Sequence, residues 1–196
     1  MDFIQLWIDT ETTGTNEQRD SIVQLSCIVR VNNKEVERHK WDIKPYKING
    51  MDPGAAAVNG ITQEMCEAYP DQKIAFTEFI EMCDRLELGP DNKAYFCGYN
   101  SNFDLQMVKQ WFQHNRRFDL WSKIYTPDMD VMRMAILPFA VMKVREHMPN
   151  FKLSTVYETL FNESLEGAHD SMADIVGTLR IYDTLIEKYF PETLVN

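Results

Sequence analysis

The chain has 196 residues, 44% of them apolar, and a formal net charge of −10. This length suits one domain with a single core, so we assign residues 1–196 to one unit. The charge argues against a protein that coats nucleic acid nonspecifically, because such binding needs many Lys and Arg contacts to phosphates, but it does not exclude an enzyme that holds a strand end.

The cysteines and the apolar runs favour a soluble protein that is not exported. Four cysteines are scattered without a Cys-x-x-Cys or Cys/His spacing, so we expect reduced core thiols in a cytoplasmic protein. The chain starts an apolar strand almost at once, without a basic leader, and no later apolar run approaches the length of a membrane span. We therefore expect no membrane association.

The first apolar run, residues 3–8, predicts a buried strand, and the acidic pair Asp9 and Glu11 follows it directly. Residues two apart on a strand point to the same side, so these two carboxylates share one face. Like charges this close resist ionising together unless a cation neutralises them, and Mg²⁺ or Mn²⁺ prefers carboxylate oxygens. The pair predicts half of a metal site.

The next segments predict an antiparallel meander followed by a long connection. Ile22–Val31 has the composition of a second strand, and a tight turn at residues 31–34 leads to a third that ends near Ile43. Residues 45–70 predict a loop with short helical pieces, in which Thr62 is an expected helix N-cap. Loops of this kind often carry binding groups.

From residue 74 onwards the pattern alternates between helix and strand. Apolar spacing predicts a helix over residues 74–86, a buried strand over 94–97, and helices over Asn102–His114, residues 130–140, Leu153–Phe161 and Ser171–Tyr189. Strands first, then alternating helix and strand, indicate an α/β fold with a mixed sheet flanked by helices.

Two further acidic elements stand near helix starts. Asp104 lies in the first predicted turn of its helix, where the helix dipole favours an acidic side chain, so a helix-terminal charge and a metal ligand are both open readings. Five helical residues turn through roughly 500°, so we place His169 in the loop before the last helix and Asp174 about one turn inside it. Asp170 is the expected N-cap of that helix.

These three elements, in this order, resemble the signatures of the DnaQ-like 3′ to 5′ exonucleases of the DEDDh type, the family of the proofreading epsilon subunit of bacterial replicative polymerase. The resemblance covers about residues 3–189, and its motifs are Asp9-x-Glu11-Thr12-Thr13-Gly14, Asn100-x-x-Phe103-Asp104 and His169-x-x-x-x-Asp174. Residues 57–62 also resemble the family's Val-His-Gly-Ile-Thr loop, with Asn59 where His is common. Residues 126–135 are similar to the family's helix start before the third motif.

The resemblance implies a ribonuclease H-like fold with a five-stranded mixed sheet, and hydrolysis of single-stranded DNA ends to nucleoside 5′-monophosphates. It implies that two divalent ions, Mg²⁺ or Mn²⁺ and roughly 4 Å apart, activate water and stabilise the leaving 3′ oxygen. Their ligands would be Asp9, Glu11, Asp104 and Asp174. His169 would be the general base, since the intrinsic pKa of histidine lies near working pH.

We expect the strand end to bind beside these carboxylates. A glycine-bearing loop lets the backbone approach a nucleotide closely, and Val58 or Ile61 would stack on the terminal base. Phe103 has two open readings, a core position and a base-stacking wedge. The expected substrate-binding residues are Thr12, Thr13, Gly14, Val58, Asn59, Gly60, Ile61, Asn100 and Phe103.

Several alternatives stay open at this stage. Residues 133–152 contain four Lys or Arg against one acid, Glu146, a local charge of +3 that suits either a solvated helix face or a phosphate track. An exoribonuclease of the oligoribonuclease or ribonuclease T type is the main alternative function, because no group that reads a 2′-hydroxyl is identifiable. A noncatalytic module that binds a polymerase or nucleic acid is a second. As partners, a polymerase complex and a homodimer are both open.

Overall fold

The computed structural model describes residues 2–189, in which five strands form one mixed sheet. The strands are β1 (Ile4–Thr12), β2 (Ile22–Val31), β3 (Lys34–Asp42), β4 (Ala94–Gly98) and β5 (Ile124–Asp130). Their order across the sheet is β3-β2-β1-β4-β5. The pairs β1–β2 and β2–β3 are antiparallel, whereas β1–β4 and β4–β5 are parallel. This confirms the expected α/β fold with a mixed five-stranded sheet.

Helices cover both faces of the sheet. They are α1 (Pro53–Asn59), α2 (Gln63–Ala68), α3 (Gln72–Arg85), α4 (Asn102–His114), α5 (Leu120–Lys123), α6 (Val131–Val141), α7 (Leu153–Phe161) and α8 (Ser171–Tyr189), with one 3-10 turn at Arg145–His147. The bounds of α4, α7 and α8 agree with the sequence prediction. The short helix α5 and the edge strand β5 were not predicted.

Alternation along β1 divides the apolar side chains between two cores. Ile4, Leu6 and Ile8 pack on one face with residues of α3 and α4. Trp7 points to the other face, where residues of α6, α7 and α8 cover it. A strand buried on both faces has a continuous apolar sequence, which explains why the start of β1 was predictable.

The predicted strand β1 is longer in the structure. It continues through Thr12, so Asp9 and Glu11 lie within the strand rather than in a turn after it. Their positions two apart still place both on one face, as expected. Regular pairing with β2 shifts between Glu11 and Thr12, and the chain leaves the sheet there.

The long connection after β3 contains the two short helices α1 and α2. The Asp52 side chain accepts hydrogen bonds from the main-chain nitrogens of Gly54 and Ala55, which begins α1, and Gly60 with φ 71° ends it. Thr62 caps α2 through its bond from Met65 N, which confirms the predicted cap. The start of α1 is anchored near the end of β1, because Asp52 N donates to Thr13 O at 2.8 Å.

All four cysteines are unpaired and buried, in agreement with the expected core thiols. Among the described helices, none combines the length and the hydropathy that a membrane crossing requires.

Candidate active site

The site lies at the edge of the sheet where the parallel strands β1, β4 and β5 end. Helices α4 and α6 begin directly after β4 and β5 at this edge. The first turn of α8 reaches the same edge, because Ser171 bonds to Gln24 of β2. Ligand sites in open α/β sheets commonly form outside the carboxyl ends of the strands, and here that region carries the three acidic motifs.

Three carboxylates meet there. Asp9, Glu11 and Asp174 each offer one oxygen, and these oxygens all lie within 4.8 Å of one another. Two come from alternate positions of β1 and the third from the first turn of α8. The structure thus brings residues of the first and third motifs, which are far apart in the sequence, into one group.

Burial and mutual repulsion shift the ionisation of this group. Burial raises the pKa of Asp9 well above its usual value, and the charges of Asp104 and Asp174 raise it further. Burial, followed by the charge of Asp174, raises the pKa of Glu11 to about 8. Burial likewise raises the pKa of Asp174, against the opposing effect of a hydrogen bond from the His169 backbone. The protein therefore assembles negative charge that its own groups do not neutralise.

Asp104 approaches β1 from the other face of the strand. It is 5% exposed, and its Oδ1 accepts hydrogen bonds from Thr10 N at 3.0 Å and Thr10 Oγ1 at 2.7 Å. Burial raises its pKa to about 7, and the bonds from Thr10 oppose that shift. Asp104 thus lies beside the group of three and acts on Asp9 through its charge, while its Oδ1 is held by Thr10. It also occupies the first turn of α4, which agrees with the alternative prediction of an acidic side chain at a helix N-terminus.

His169 lies in the turn before α8, as the spacing predicted. Its backbone has φ 71°, its side chain is exposed, and its main-chain nitrogen donates to Asp174 Oδ2 at 3.3 Å. Asp170 caps the helix, since its Oδ1 accepts from Met172 N at 3.1 Å and Ala173 N at 3.2 Å. The imidazole is therefore on a surface turn whose backbone touches one of the clustered carboxylates.

An open groove of about 1060 Å³ lies beside the acidic group, and Glu11 is the clustered carboxylate that lines it. Of the predicted substrate-binding residues, Thr12, Gly14, Val58, Asn59 and Phe103 line it. Val58 is 57% exposed. Phe103 is half-buried, and it both packs on the core and lines the groove. This position is compatible with both a core role and a base-stacking role. Gly14 is required there, because a Cβ at this position would collide with the Asp20 carboxylate.

The other four predicted substrate-binding residues lie outside the lining of this groove. Thr13 is buried, and its Oγ1 accepts from Ser21 N at 2.9 Å. Ile61 is 5% exposed and packs with Val23 and Cys66, which leaves Val58 as the exposed apolar side chain of that loop. Gly60 ends α1, and the main-chain nitrogen of Asn100 donates to Asp130 Oδ1 at 2.9 Å.

Asn59 connects α1 to the carboxylate strand. Its Nδ2 donates to Thr12 O at 3.3 Å, and its Oδ1 accepts from Ile61 N at 3.0 Å. Its side chain also lowers the pKa of the Glu11 carboxyl. The residue that stands where the family often has His is thus a structural link between the groove and the acidic group.

The carboxylate group fits a divalent cation. Its donors are all oxygens, which Mg²⁺ and Mn²⁺ prefer. Within residues 2–189, no Lys, Arg or His side chain forms an ion pair with Asp9, Glu11, Asp104 or Asp174. Uncompensated buried charges are unfavourable by several kcal/mol each, so a bound cation would relieve the repulsion that raises the pKa values.

Sequence reasoning missed the far wall of the groove. Asn16, Arg19, Asp20 and Asn49 line it, and Asp20 joins its two loops by accepting from Asn16 N at 2.8 Å and Asn49 Nδ2 at 2.9 Å. These loops carry no periodic pattern. The one available signal was the density of polar and glycine residues at 14–20 and 45–54, which indicates loops but not which loops meet.

Comparison with known proteins identifies the family of this chain. The exonuclease family model of the ribonuclease T type matches residues 6–182. This chain is a DnaQ-like member of the exonuclease family. The predicted family is thereby confirmed, and the motifs at the end of β1, in α4 and before α8 all fall inside the matched range.

Individual relatives are distant and mostly much longer. A PolC-type DNA polymerase III from Thermotoga petrophila is 26% identical over 153 residues, covering 78% of this chain but 10% of the relative. Ribonuclease T from Yersinia pseudotuberculosis is 27% identical over 108 residues, covering 52% of this chain and 50% of the relative. The chain therefore spans only part of the relatives it matches.

The fold is shared with a solved nuclease. Exonuclease I from E. coli, in a zinc-ion-bound complex with single-stranded DNA, matches with a TM-score of 0.77 at 22% identity, over 98% of this chain and 42% of that chain. The expected ribonuclease H-like fold is thereby confirmed.

Proposed function

We propose that this chain is a metal-dependent 3′ to 5′ exonuclease that releases nucleoside 5′-monophosphates from single-stranded DNA. The observation that carries the proposal is the group formed by Asp9, Glu11 and Asp174, whose member Glu11 also lines an open groove. Membership of the exonuclease family supports it. We also propose that residues 1–196 form one exonuclease domain.

In this proposal Asp9, Glu11 and Asp174 hold divalent ions, Mg²⁺ or Mn²⁺, with Asp104 beside them. When bound, two such ions would supply Lewis-acid activation of water and stabilisation of the leaving 3′ oxygen. The chain's own contribution is to fix the carboxylates on β1 and α8 and to hold Asp104 through Thr10. Four oxygen-donor side chains at one site suit a reaction at a phosphodiester, because cations there neutralise the phosphate that an acidic protein would otherwise repel.

His169 is the proposed general base. Its backbone is bonded to Asp174, so its exposed imidazole lies on the turn next to the carboxylate group. A neutral imidazole accepts a proton from water near neutral pH.

The groove is the proposed site of the terminal nucleotide. Thr12, Gly14, Asn59 and Phe103 would contact it directly, and Val58 would offer exposed apolar surface to the base. We propose an indirect role at the same site for four other residues, which stabilise the backbone near the groove through hydrogen bonds, a helix end or packing: Thr13, Gly60, Ile61 and Asn100.

DNA is proposed over RNA because the matched PolC-type protein is a DNA polymerase and the matched exonuclease I structure contains single-stranded DNA. The likeness to ribonuclease T favours the alternative, an exoribonuclease. A noncatalytic binding module is disfavoured by the retention of all five motif residues. Association with a polymerase is proposed on the likeness to the PolC-type polymerase, and a homodimer is the second proposed assembly. The buried unpaired cysteines suit a cytoplasmic location.

The deciding experiment uses matched 5′-labelled DNA and RNA oligonucleotides with Mg²⁺, Mn²⁺ or EDTA. We expect a ladder that shortens stepwise from the 3′ end, release of 5′-mononucleotides, faster degradation of DNA, and no reaction in EDTA. Faster degradation of RNA would select the exoribonuclease. No cleavage with either metal would select the binding module.

The role of His169 needs its own control. His169→Ala is expected to lower kcat roughly 100-fold or more, within the range of general-base removal, while His147→Ala, which removes another exposed histidine from a turn, leaves kcat unchanged. Equal rates for the two variants would remove His169 from the mechanism.

A further inference from the structure

Two rows of polar side chains run across the sheet at the site. The β1–β2 register places Asp9 opposite Ser26 and Glu11 opposite Gln24. The β2–β3 register extends the rows, placing Ser26 opposite Lys40 and Gln24 opposite Asp42. Residues directly opposite in an antiparallel pair project to the same face, so Ser26 and Gln24 stand on the face of the two carboxylates, beneath the start of α8.

Both β2 side chains hold Ser171, the first residue of α8. Gln24 Oε1 accepts from Ser171 Oγ at 2.8 Å and from Ser171 N at 3.4 Å. Ser26 Oγ is 2.7 Å from Ser171 Oγ. Ser26 and Ser171 are fully buried and Gln24 is 8% exposed. Hydrogen bonds in such surroundings fix geometry strongly, because a buried polar group without a partner is costly.

The third strand orients this arrangement. Gln24 Nε2 donates to Asp42 Oδ1 at 3.0 Å, which turns the amide so that its oxygen faces Ser171. Lys40 forms an ion pair with Asp170, the residue that caps α8. The start of α8 is therefore attached to both rows, the row Asp9–Ser26–Lys40 and the row Glu11–Gln24–Asp42.

We infer that Gln24 and Ser26 are positioning residues that set the place of Asp174 relative to Asp9 and Glu11. Ser171 and Asp174 are three residues apart on α8 and so lie on one side of the helix, one turn apart. Holding Ser171 on β2 therefore fixes where the Asp174 carboxylate stands. The pairing of β1 with β2 thus determines the relative positions of all three clustered carboxylates. This inference rests on the proposed function of the cluster as a metal site.

The test compares Mn²⁺ binding, followed by electron paramagnetic resonance, with kcat and KM on single-stranded DNA. Gln24→Met removes the bonds from Ser171 to Gln24, and Ser171→Ala removes the bonds of the Ser171 hydroxyl to Gln24 and Ser26. Tyr182→Phe is the matched control, because it removes another bond between α8 and the sheet, from Gln5 Nε2 at 3.2 Å, two helical turns beyond Asp174. Far-UV circular dichroism checks folding.

We expect both test variants to bind Mn²⁺ about 10-fold more weakly, the effect typical of groups that orient metal ligands, with kcat reduced and KM for DNA nearly unchanged. Tyr182→Phe is expected to bind Mn²⁺ like wild type. Wild-type Mn²⁺ affinity in both test variants would overturn the inference. If Gln24→Met does not fold, Ser171→Ala, which deletes one hydroxyl, decides. Absence of Mn²⁺ binding by the wild type would instead overturn the proposed function.

Discussion

Asn59 Nδ2 donates a hydrogen bond across 3.3 Å to the main-chain oxygen of Thr12. The bond joins the last residue of α1 to the last residue of β1. Because the Asn59 side chain also lowers the pKa of Glu11, one amide links the groove wall to the strand that carries a clustered carboxylate.

Asn59→Ala should therefore lower kcat/KM for single-stranded DNA by about 5- to 30-fold, the effect of removing one or two hydrogen bonds worth about 1 kcal/mol each. Asn59→His restores a ring nitrogen that can donate, and it is the residue common in the family motif, so most activity should return. Steady-state kinetics on the three proteins test this. An equal decrease in the two variants would show that shape, not hydrogen bonding, matters at this position.

Thr10→Val removes one of the two hydrogen bonds to Asp104 Oδ1 while keeping the shape of the side chain. Those bonds lower the pKa of Asp104, so the variant should have a higher pKa there and a free energy of unfolding that is lower by about 1–2 kcal/mol. The decrease should be greater at pH 8, where the carboxylate is charged, than at pH 5, below its pKa of about 7. Thr10→Ser, which keeps the hydroxyl, is the control for urea unfolding at both pH values.

The metal-free protein should become less stable as pH rises. The pKa of Glu11 goes from 4.5 to about 8 on folding, so between these values the folded state binds more protons than the unfolded state, and the free energy of unfolding falls with rising pH. In EDTA, Glu11→Gln should remove this penalty and stabilise the protein by about 2 kcal/mol at pH 8, after discounting for solvent screening, with little effect at pH 4.

Thermal or urea unfolding in EDTA measures that change. Glu158→Gln, on an exposed part of α7, should leave the pH dependence unaltered. A Glu11→Gln protein that is less stable than wild type at pH 8 without metal would contradict the raised pKa.

The basic segment 133–152 offers a test of strand binding. Lys143 and Arg145 are exposed, although the Arg145 guanidinium also bonds to Met148 O at 3.1 Å. Reversing both charges should weaken binding of long single strands and reduce the salt slope by about one for each phosphate that is no longer neutralised. Lys34→Glu, at the exposed start of β3 and paired with Val31 of β2, is the control. An unchanged salt slope would assign the segment to a solvated face.

Prediction succeeded where apolar periodicity and end signals coincide. Helix α8 has an apolar stripe along its whole length and a capping Asp170 before it, so both its position and its start were readable. The pair Asp9 and Glu11 was singled out because carboxylates two apart at the end of an apolar run are unusual. Predicting that Asp174 lies close to Asp9 also required the family resemblance.

Prediction failed where tertiary contacts override local preference. Strand β5 contains Pro127 and alternates little, with several half-exposed positions, and proline argues against a strand. It forms because it pairs with β4 at the sheet edge. The roles of Gln24 and Ser26 were also hidden, since their partner Ser171 lies about 145 residues away.

The carboxylates at the end of β1 are proposed to form a metal-dependent exonuclease site, and metal depletion tests this most directly. Release of nucleotides, followed as shortening of a 5′-labelled single-stranded DNA, is measured with metal-depleted protein, before and after Mn²⁺ is added back, with Asp9→Asn alongside. We expect no release without metal, stepwise 3′ shortening after Mn²⁺ addition, and at least about 100-fold slower release by Asp9→Asn. Equal release by wild type and Asp9→Asn, or release without metal, would contradict the proposed site.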